Sequence, residues 1–453
     1  MMIKTTDMTV GKPIKLILQF ALPLIITNLG QQLYMIVDAA IVGRGVGVKA
    51  LAAVGSADWI IWLFLWTVCV LTQGFATFVS RYFGEKNFTE LNRTIAMSTV
   101  LSVAFALVLT LAGVFTAKPL LLLLDTPQDI IDSAAIYLIT MIAGTVVVTL
   151  YNLAAAILRA LGDSKTPLVA MIIAAVLNIG LDLLFVVVLK LGVFGAAIAS
   201  VISQLFSFFY CLVQIKNISC IFLPREMWQL DFTRIKELFF FGFPLALQYI
   251  VISLGGVILQ STINLQGSFF VAGYTAVNKL YGLLECSAIS LGSAFSTYFA
   301  QNFGAGRNDR VLSGVRASFL LSVIAAAVVA LLTMIFEKNL LQFFLDPSME
   351  GGFEAMQTGK NYLVLMCINM PVLYLIYVYR HILQAVGNSL WSMLSGFAEF
   401  IIRVSMGKFL FLILGVNTLY YIEPAAWLGA LVTVMIPYYI LRKKYLGNAN
   451  DNI

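Results

Sequence analysis

Four acidic residues fall inside long apolar runs: Asp38, Asp182, Glu285 and Glu399. An ionised group at lipid depth costs several kcal/mol and usually marks function. Asp38 and Asp182 each have a polar residue one turn earlier. Tyr34 precedes Asp38 by four residues and Asn178 precedes Asp182 by four, so each pair shares a helix face. Asp38 stands six residues before Arg44, and Asp182 stands eight before Lys190. At 1.5 Å per residue both lie about 9–12 Å below the same surface. Ser200, eight residues after Gly192 in the next apolar run, falls at a similar level. Two carboxylates with an amide and a hydroxyl form a hard-oxygen cluster. It could bind Na⁺, with Asp38, Asn178 and Asp182 as the metal ligands, or the carboxylates could share a proton. The plainer alternative is that each acid only hydrogen-bonds within a packed core.

The elements that must position these groups are membrane helices. Of 453 residues, 61% are hydrophobic and 11% charged, against about 25% charged in a soluble domain. So few charges cannot cover a soluble surface, and the same balance excludes disordered, collagen-like and disulfide-stapled chains. A net charge of +6 without clustered Lys and Arg carries no nucleic-acid footprint. Cys69, Cys211, Cys220, Cys286 and Cys367 show no C-x-x-C spacing and read as free thiols. A helix needs about 20 apolar residues to cross the hydrocarbon. Spans are predicted near 14–42, 51–80, 92–116, 131–161, 166–189 and 194–216. A second set follows near 235–263, 271–300, 310–336, 353–384, 390–413 and 419–442. The first run is too long for a signal-peptide core and is expected to remain as span 1. Lys and Arg outside the spans gather on one side, as at Arg81, Lys86 and Arg93 and again at Arg442, Lys443 and Lys444. That bias predicts cytoplasmic termini and an even number of spans.

The twelve spans divide into two halves on one plan. Pro23 in F-A-L-P-L answers Pro244 in F-G-F-P-L; R-Y-F-G at Arg81–Gly84 answers Q-N-F-G at Gln301–Gly304. L-R-A-L-G-D-S at Leu158–Ser164 answers L-Q-A-V-G-N-S at Leu383–Ser389. The polar connection 216–237 separates an N-terminal lobe, 1–225, from a C-terminal lobe, 226–453. The expected fold is therefore an all-α polytopic membrane protein: twelve transmembrane helices in two pseudo-symmetric six-helix bundles. Such halves are parallel repeats about an axis along the membrane normal, and bundles of that kind can rock in transport. The acidic cluster is not duplicated. The register of the prolines carries Asp38 onto Leu259, and that of the later motif carries Asn178 and Asp182 onto Arg403 and Gly407.

Of the remaining acids, Glu399 lies four residues before Arg403, which points to an intrahelical ion pair. Glu285 has no such neighbour, because Lys279 is six residues away on another face. It is either a substrate-cavity group that attracts a cation or a core hydrogen-bonder. Asn152 is a weaker cavity candidate of the same kind. The lone His381 reads as structural. Pro23 and Pro244 interrupt helix hydrogen bonds and allow kinks.

With these residues in view, the chain resembles the MATE (multidrug and toxic compound extrusion) transporters over essentially its whole length. The resemblance rests on V-D-A-A-I-V-G-R-G-V-G at Val37–Gly47, A-L-A-A-V-G at Ala50–Gly55, R-A-L-G-D-S-K-T-P at Arg159–Pro167 and N-I-G-L-D ending at Asp182. It implies export of varied, mostly cationic amphipathic compounds from the cytoplasm, driven by inward H⁺ or Na⁺ across the cytoplasmic membrane. By matching positions, Asp38 looks like the family's helix 1 carboxylate. Asn178 and Asp182 look like the helix 5 cation-site pair of the DinF-like branch. Ser200 falls where that branch commonly has threonine, and Pro23 matches its kinking proline. Helix 7 (235–263) lacks the embedded acid of the NorM-like branch. No cofactor is expected beyond the coupling ion; the expected partners are small-molecule substrates and the lipid bilayer, not nucleic acid, with the chain acting as a monomer. The alternative is a lipid-linked oligosaccharide flippase of the same superfamily. An intramembrane enzyme is disfavoured, because the chain has no H-E-x-x-H or D-D-x-x-D and only one histidine.

Overall fold

The computed structural model describes residues 6–124 and 126–446, and among them there are helices and no strand. The first half holds α1 (Pro13–Gly45), α2 (Val48–Gly84), α3 (Phe88–Leu123), α4 (Ile131–Ala143), α5 (Thr145–Ala160), α6 (Lys165–Asp182) and α7 (Gly192–Lys216). A π-helical segment, Leu183–Val188, continues α6. After a 3₁₀ turn at Arg225–Trp228 come α8 (Phe232–Asn264), α9 (Ser268–Gly304), α10 (Asn308–Ile335) and a short α11 (Glu337–Gln342). Then follow α12 (Gly352–Ala385), α13 (Leu390–Ser405), the π-helical segment Met406–Leu410, α14 (Phe411–Leu414) and α15 (Thr418–Leu446).

Nine helices among the described residues are long and apolar enough to cross a bilayer. The pair α4–α5 makes a tenth; predicted as one span over 131–161, it bends by 45° at Gly144. The two other predicted spans are helical, one more polar and the other broken. α9, over 271–300, carries Asn278, Lys279, Glu285 and several serines. The span at 390–413 is divided, with α13 ending at Ser405 and the π-helical segment and α14 following.

The repeat is visible in the backbone. The turns leading into α2 and α9 each hold a glycine at positive φ, Gly47 at 122° and Gly267 at 90°. Glycine alone adopts that region without Cβ strain, so the same tight turn demands the same residue twice. The two π-helical segments also correspond, each ending the helix that enters with the R-A-L-G-D-S or Q-A-V-G-N-S turn.

The chain packs as two compact units, one comprising Leu22–Ala246 and the other Met8–Ala21 with the chain from Leu247 on. Division thus falls inside α1 and α8, near Pro23 and Pro244, rather than in the connection 216–237. Side chains explain the assignment. In the first unit Asn92 grips the connection, donating to the Cys220 carbonyl at 3.1 Å and accepting from the Phe222 N–H at 3.0 Å. Arg93 pairs with Asp231 at 2.8 Å, and Arg234 bonds the Tyr82 hydroxyl at 2.5 Å. In the second unit Gln301 accepts from the Met8 N–H at 2.9 Å, and Arg310 donates to the Gly11 carbonyl at 2.9 Å.

The first unit is cored by small and aliphatic side chains, among them Val42, Ala53, Ala57, Leu138, Val186 and Ala196. The second is aromatic, with Tyr274, Tyr298, Tyr362, Tyr374 and Trp427 fully buried. Small residues let the helices of the first unit approach closely, and that approach brings its acids together.

Candidate functional site

α1 and α6 are drawn together by glycines on α1. A side chain at Gly30 would meet Met171 of α6 at 2.7 Å, and one at Gly45 would meet Val186 of the π-helical segment at 3.2 Å. Asp38 lies between these two close approaches, and its carboxyl group meets that of Asp182. Tyr34 stands beside both acids, one turn before Asp38. Asn178, one turn before Asp182, donates through Nδ2 to the Ser200 hydroxyl of α7 at 3.2 Å. All five residues that share depth in the sequence therefore gather in one region of the first unit.

The cluster is short of hydrogen-bond donors. Asp182 is fully buried and Asn178 nearly so. Both Asp182 oxygens, Oδ1 of Asp38 and Oδ1 of Asn178 are buried without a donor. No Lys or Arg is among the groups that act on either carboxyl. Buried oxygens of this kind are normally satisfied, and four of them together are chemically able to take up a proton or a cation. Among the described residues no group of three or more His, Cys, Asp or Glu converges anywhere. The donor set here, two carboxylates with an amide and a hydroxyl, suits a proton or a monovalent hard cation. The π-helical segment begins at the residue after Asp182, a feature common at functional sites. Tyr137 of α4, fully packed in the core, also faces the acids. It comes from a separate helix, and no spacing in the sequence signals it.

The second unit treats its acids differently. Glu285 of α9 accepts from the Tyr377 hydroxyl of α12 at 2.9 Å and bonds Tyr281 one turn earlier. Glu399 and Arg403 do pair along α13, at 3.1 Å, but the pair is part of a larger network. Arg380 of α12 reaches Glu399 at 2.5 Å and the Ser395 hydroxyl at 2.9 Å. Arg403 also forks onto Glu423 of α15 at 2.9 and 2.8 Å. By sequence Arg380 counts among the inner-side charges and nothing singles out Glu423; the fold brings both to α13. One signal was available: Ser392, Ser395, Glu399 and Arg403 form a buried polar stripe on α13, and such a stripe needs partners from neighbouring helices.

The remaining candidates have local roles. Asn152 donates to the Val148 carbonyl within α5 at 2.9 Å. The His381 ring nitrogen Nδ1 lies 2.7 Å from the Tyr377 carbonyl, and its ring stacks on Tyr377. Pro23 and Pro244 sit inside α1 and α8, which continue through them as unbroken helices. The Thr27 hydroxyl donates to the Pro23 carbonyl at 2.8 Å. The five cysteines are free thiols.

The family model MatE matches residues 23–184 and 244–408, one segment in each half. The chain is 29% identical to the probable multidrug resistance protein YpnP of Bacillus subtilis (strain 168), over 85% of this chain and 86% of that one. Two solved structures share the fold at low identity. An outward-facing multidrug resistance MATE family transporter of the MOP superfamily has a TM-score of 0.88 at 18% identity, with 100% of each chain covered. A MOP superfamily transporter from Pyrococcus furiosus, described for the reverse polarity of its binding pocket, has a TM-score of 0.89 at 19% identity, covering 99% of this chain and 100% of that one.

Proposed function

The chain belongs to the MATE family, and from that premise we propose that it is a secondary antiporter coupling inward H⁺ or Na⁺ to export of organic, mostly cationic amphipathic compounds. The coarser reading, a multi-pass multidrug efflux transporter, follows from the family and from relatives named as multidrug resistance proteins. The finer one rests on a single observation: the facing carboxyl groups of Asp38 and Asp182, with no base beside them.

A buried carboxylate, Asp182, and a half-buried one, Asp38, in contact cannot both stay ionised and unattended. A proton shared between them, or a Na⁺ held with Asn178 and Ser200, relieves the repulsion. In the state open to the outside, uptake of that cation neutralises the niche and weakens attraction for a positively charged substrate. Reorientation then carries the cation inward, where its release restores the negative charge and the affinity for new substrate. The net movement is cation in and drug out, by alternating access. We place the protein in the cytoplasmic membrane as a monomer with both termini inside. The flippase alternative is not favoured, since the matched relatives are named as multidrug resistance proteins.

The test is efflux from proteoliposomes under an imposed pH gradient and then an imposed Na⁺ gradient. Wild-type protein should respond to one of them, and Asp38→Asn to neither while remaining inserted and folded. Gradient-driven efflux by Asp38→Asn at the wild-type rate would overturn the assignment.

A further inference from the structure

The segment before α1 is gripped by residues far from it in the chain. Met8 is fully buried, and both polar groups of its backbone are taken. Gln301 accepts from its N–H at 2.9 Å; its carbonyl accepts from Asn302 Nδ2 and from Arg310 Nη2, each at 3.1 Å. Arg310 Nη2 donates as well to the Gly11 carbonyl at 2.9 Å, and Arg310 Nε donates to Asn302 Oδ1 at 2.9 Å. Gln301 and Asn302 are themselves fully buried. A backbone fixed by such groups cannot slide without leaving them unpaired, which is costly away from water.

Corresponding positions of the repeat do the same work. In the register that carries Arg81–Gly84 onto Gln301–Gly304, Tyr82 answers Asn302 and Glu90 answers Arg310. Tyr82 and Glu90 both bind Arg234, in the first turn of α8. The residue types differ, yet each half holds the start of the other half's first helix. For α1 the consequence is specific. It begins in the second unit and past Ala21 continues in the first, where it carries Asp38. A continuous helix of that kind is a rigid element joining the acid pair to a unit that does not contain it.

We propose that the clasp of Gln301, Asn302 and Arg310 on Met8–Gly11 is a coupling device. It anchors α1 to the second unit, so that a change at Asp38 on cation uptake is delivered there instead of being lost at a free helix end. Arg310, which closes the clasp on two carbonyls, is a positioning residue that acts through α1. The inference rests on the antiporter reading and adds the means by which the cation site of one half acts on the other.

The experiment reconstitutes the full-length protein in liposomes and follows ethidium in two assays: efflux driven by the cation gradient that the wild type uses, and dye–dye exchange with no gradient. Arg310→Met should lower gradient-driven efflux about tenfold, the size of an ordinary coupling free energy, and leave exchange within about twofold of wild type. Arg310→Lys, which keeps a donor for the carbonyls, should retain most of the efflux. Arg307→Met, which removes an exposed charge nearby, should retain all of it. Wild-type efflux in Arg310→Met, loss of efflux and exchange together in inserted protein, an Arg310→Lys as poor as Arg310→Met, or equal loss in Arg307→Met each overturns the proposal. If Arg310→Met does not insert, Asn302→Leu, which removes a donor to Met8 and the acceptor for Arg310, is read by the same criteria. Wild-type exchange without gradient-driven efflux defeats the cation-coupled reading and this inference with it. Normal wild-type efflux with an indifferent Arg310→Met defeats this inference alone.

Discussion

The two units share one plan but place different polar groups before their π-helical segments and satisfy them in opposite ways. In the first, Asn178 precedes the π-helical segment and bonds Ser200, while Asp182 and Asp38 face each other without a base. In the second, the repeat puts Arg403 where Asn178 stands, again just before a π-helical segment. That arginine carries its own positive charge into the site and is met by Glu399 and Glu423. On the proposed reading one bundle takes its cation from outside; the other has one built in, Arg403. Buried ion pairs are weak evidence for stability, but removing one partner from such a pair is costly. Around Arg403 the second unit thus holds its acids in fixed ion pairs, whereas the acid pair of the first has no such partner. A duplicated fold can in this way assign energy conversion to one copy and keep the other electrostatically inert.

The comparison breaks most directly at Asp182. Asp182→Asn should reduce gradient-driven efflux to background, and the double variant with Asp38→Asn should be no worse than either single one, because the carboxyls act as one unit. Additive loss in proteoliposome efflux would mean that they work separately. On the other side, Arg403→Met strands Glu423 and should destabilise the protein by about 3–5 kcal/mol, read as a lowered Tm. Adding Glu423→Leu should recover most of that loss; no recovery would deny that the charges balance each other. Ser200→Ala removes the one hydrogen bond that the Asn178 amide makes to a neighbouring helix, worth about 1 kcal/mol. It should slow efflux several-fold and raise the cation concentration needed for half-maximal rate, while the fold is unaffected.

The smallest effect lies at the connection between the halves. The backbone N–H of Arg234, with Arg93 beside it, holds Asp231 below the ordinary carboxylate range. Its contribution is therefore present above the ordinary carboxylate value and fades as pH falls through the lowered one. Asp231→Ala should cost about 1 kcal/mol at most, as loss of a helix cap at a half-buried site. The Tm difference from wild type should shrink on acidification; a difference that grew would reverse the sign and refute the cap.

Composition and apolar run length were enough to read a polytopic helical membrane protein. The prolines, the paired motifs and the spacing of Tyr34, Asp38, Asn178, Asp182 and Ser200 were enough to read a repeat and a one-sided acidic cluster. These are local or one-dimensional properties: hydropathy, helical periodicity and depth along a helix survive without knowledge of neighbours. Which faces meet is different, because it depends on how closely helices approach. Gly30 and Gly45 let α1 lie against α6, and only that contact joins Asp38 to Asp182. Arg380 and Glu423, far from Glu399 in the chain and placed near span ends, became buried partners only when α12 and α15 closed on α13. The bend at Gly144 and the division of the units inside α1 and α8 were likewise decided by packing, since each is a relation between surfaces and no residue carries it alone.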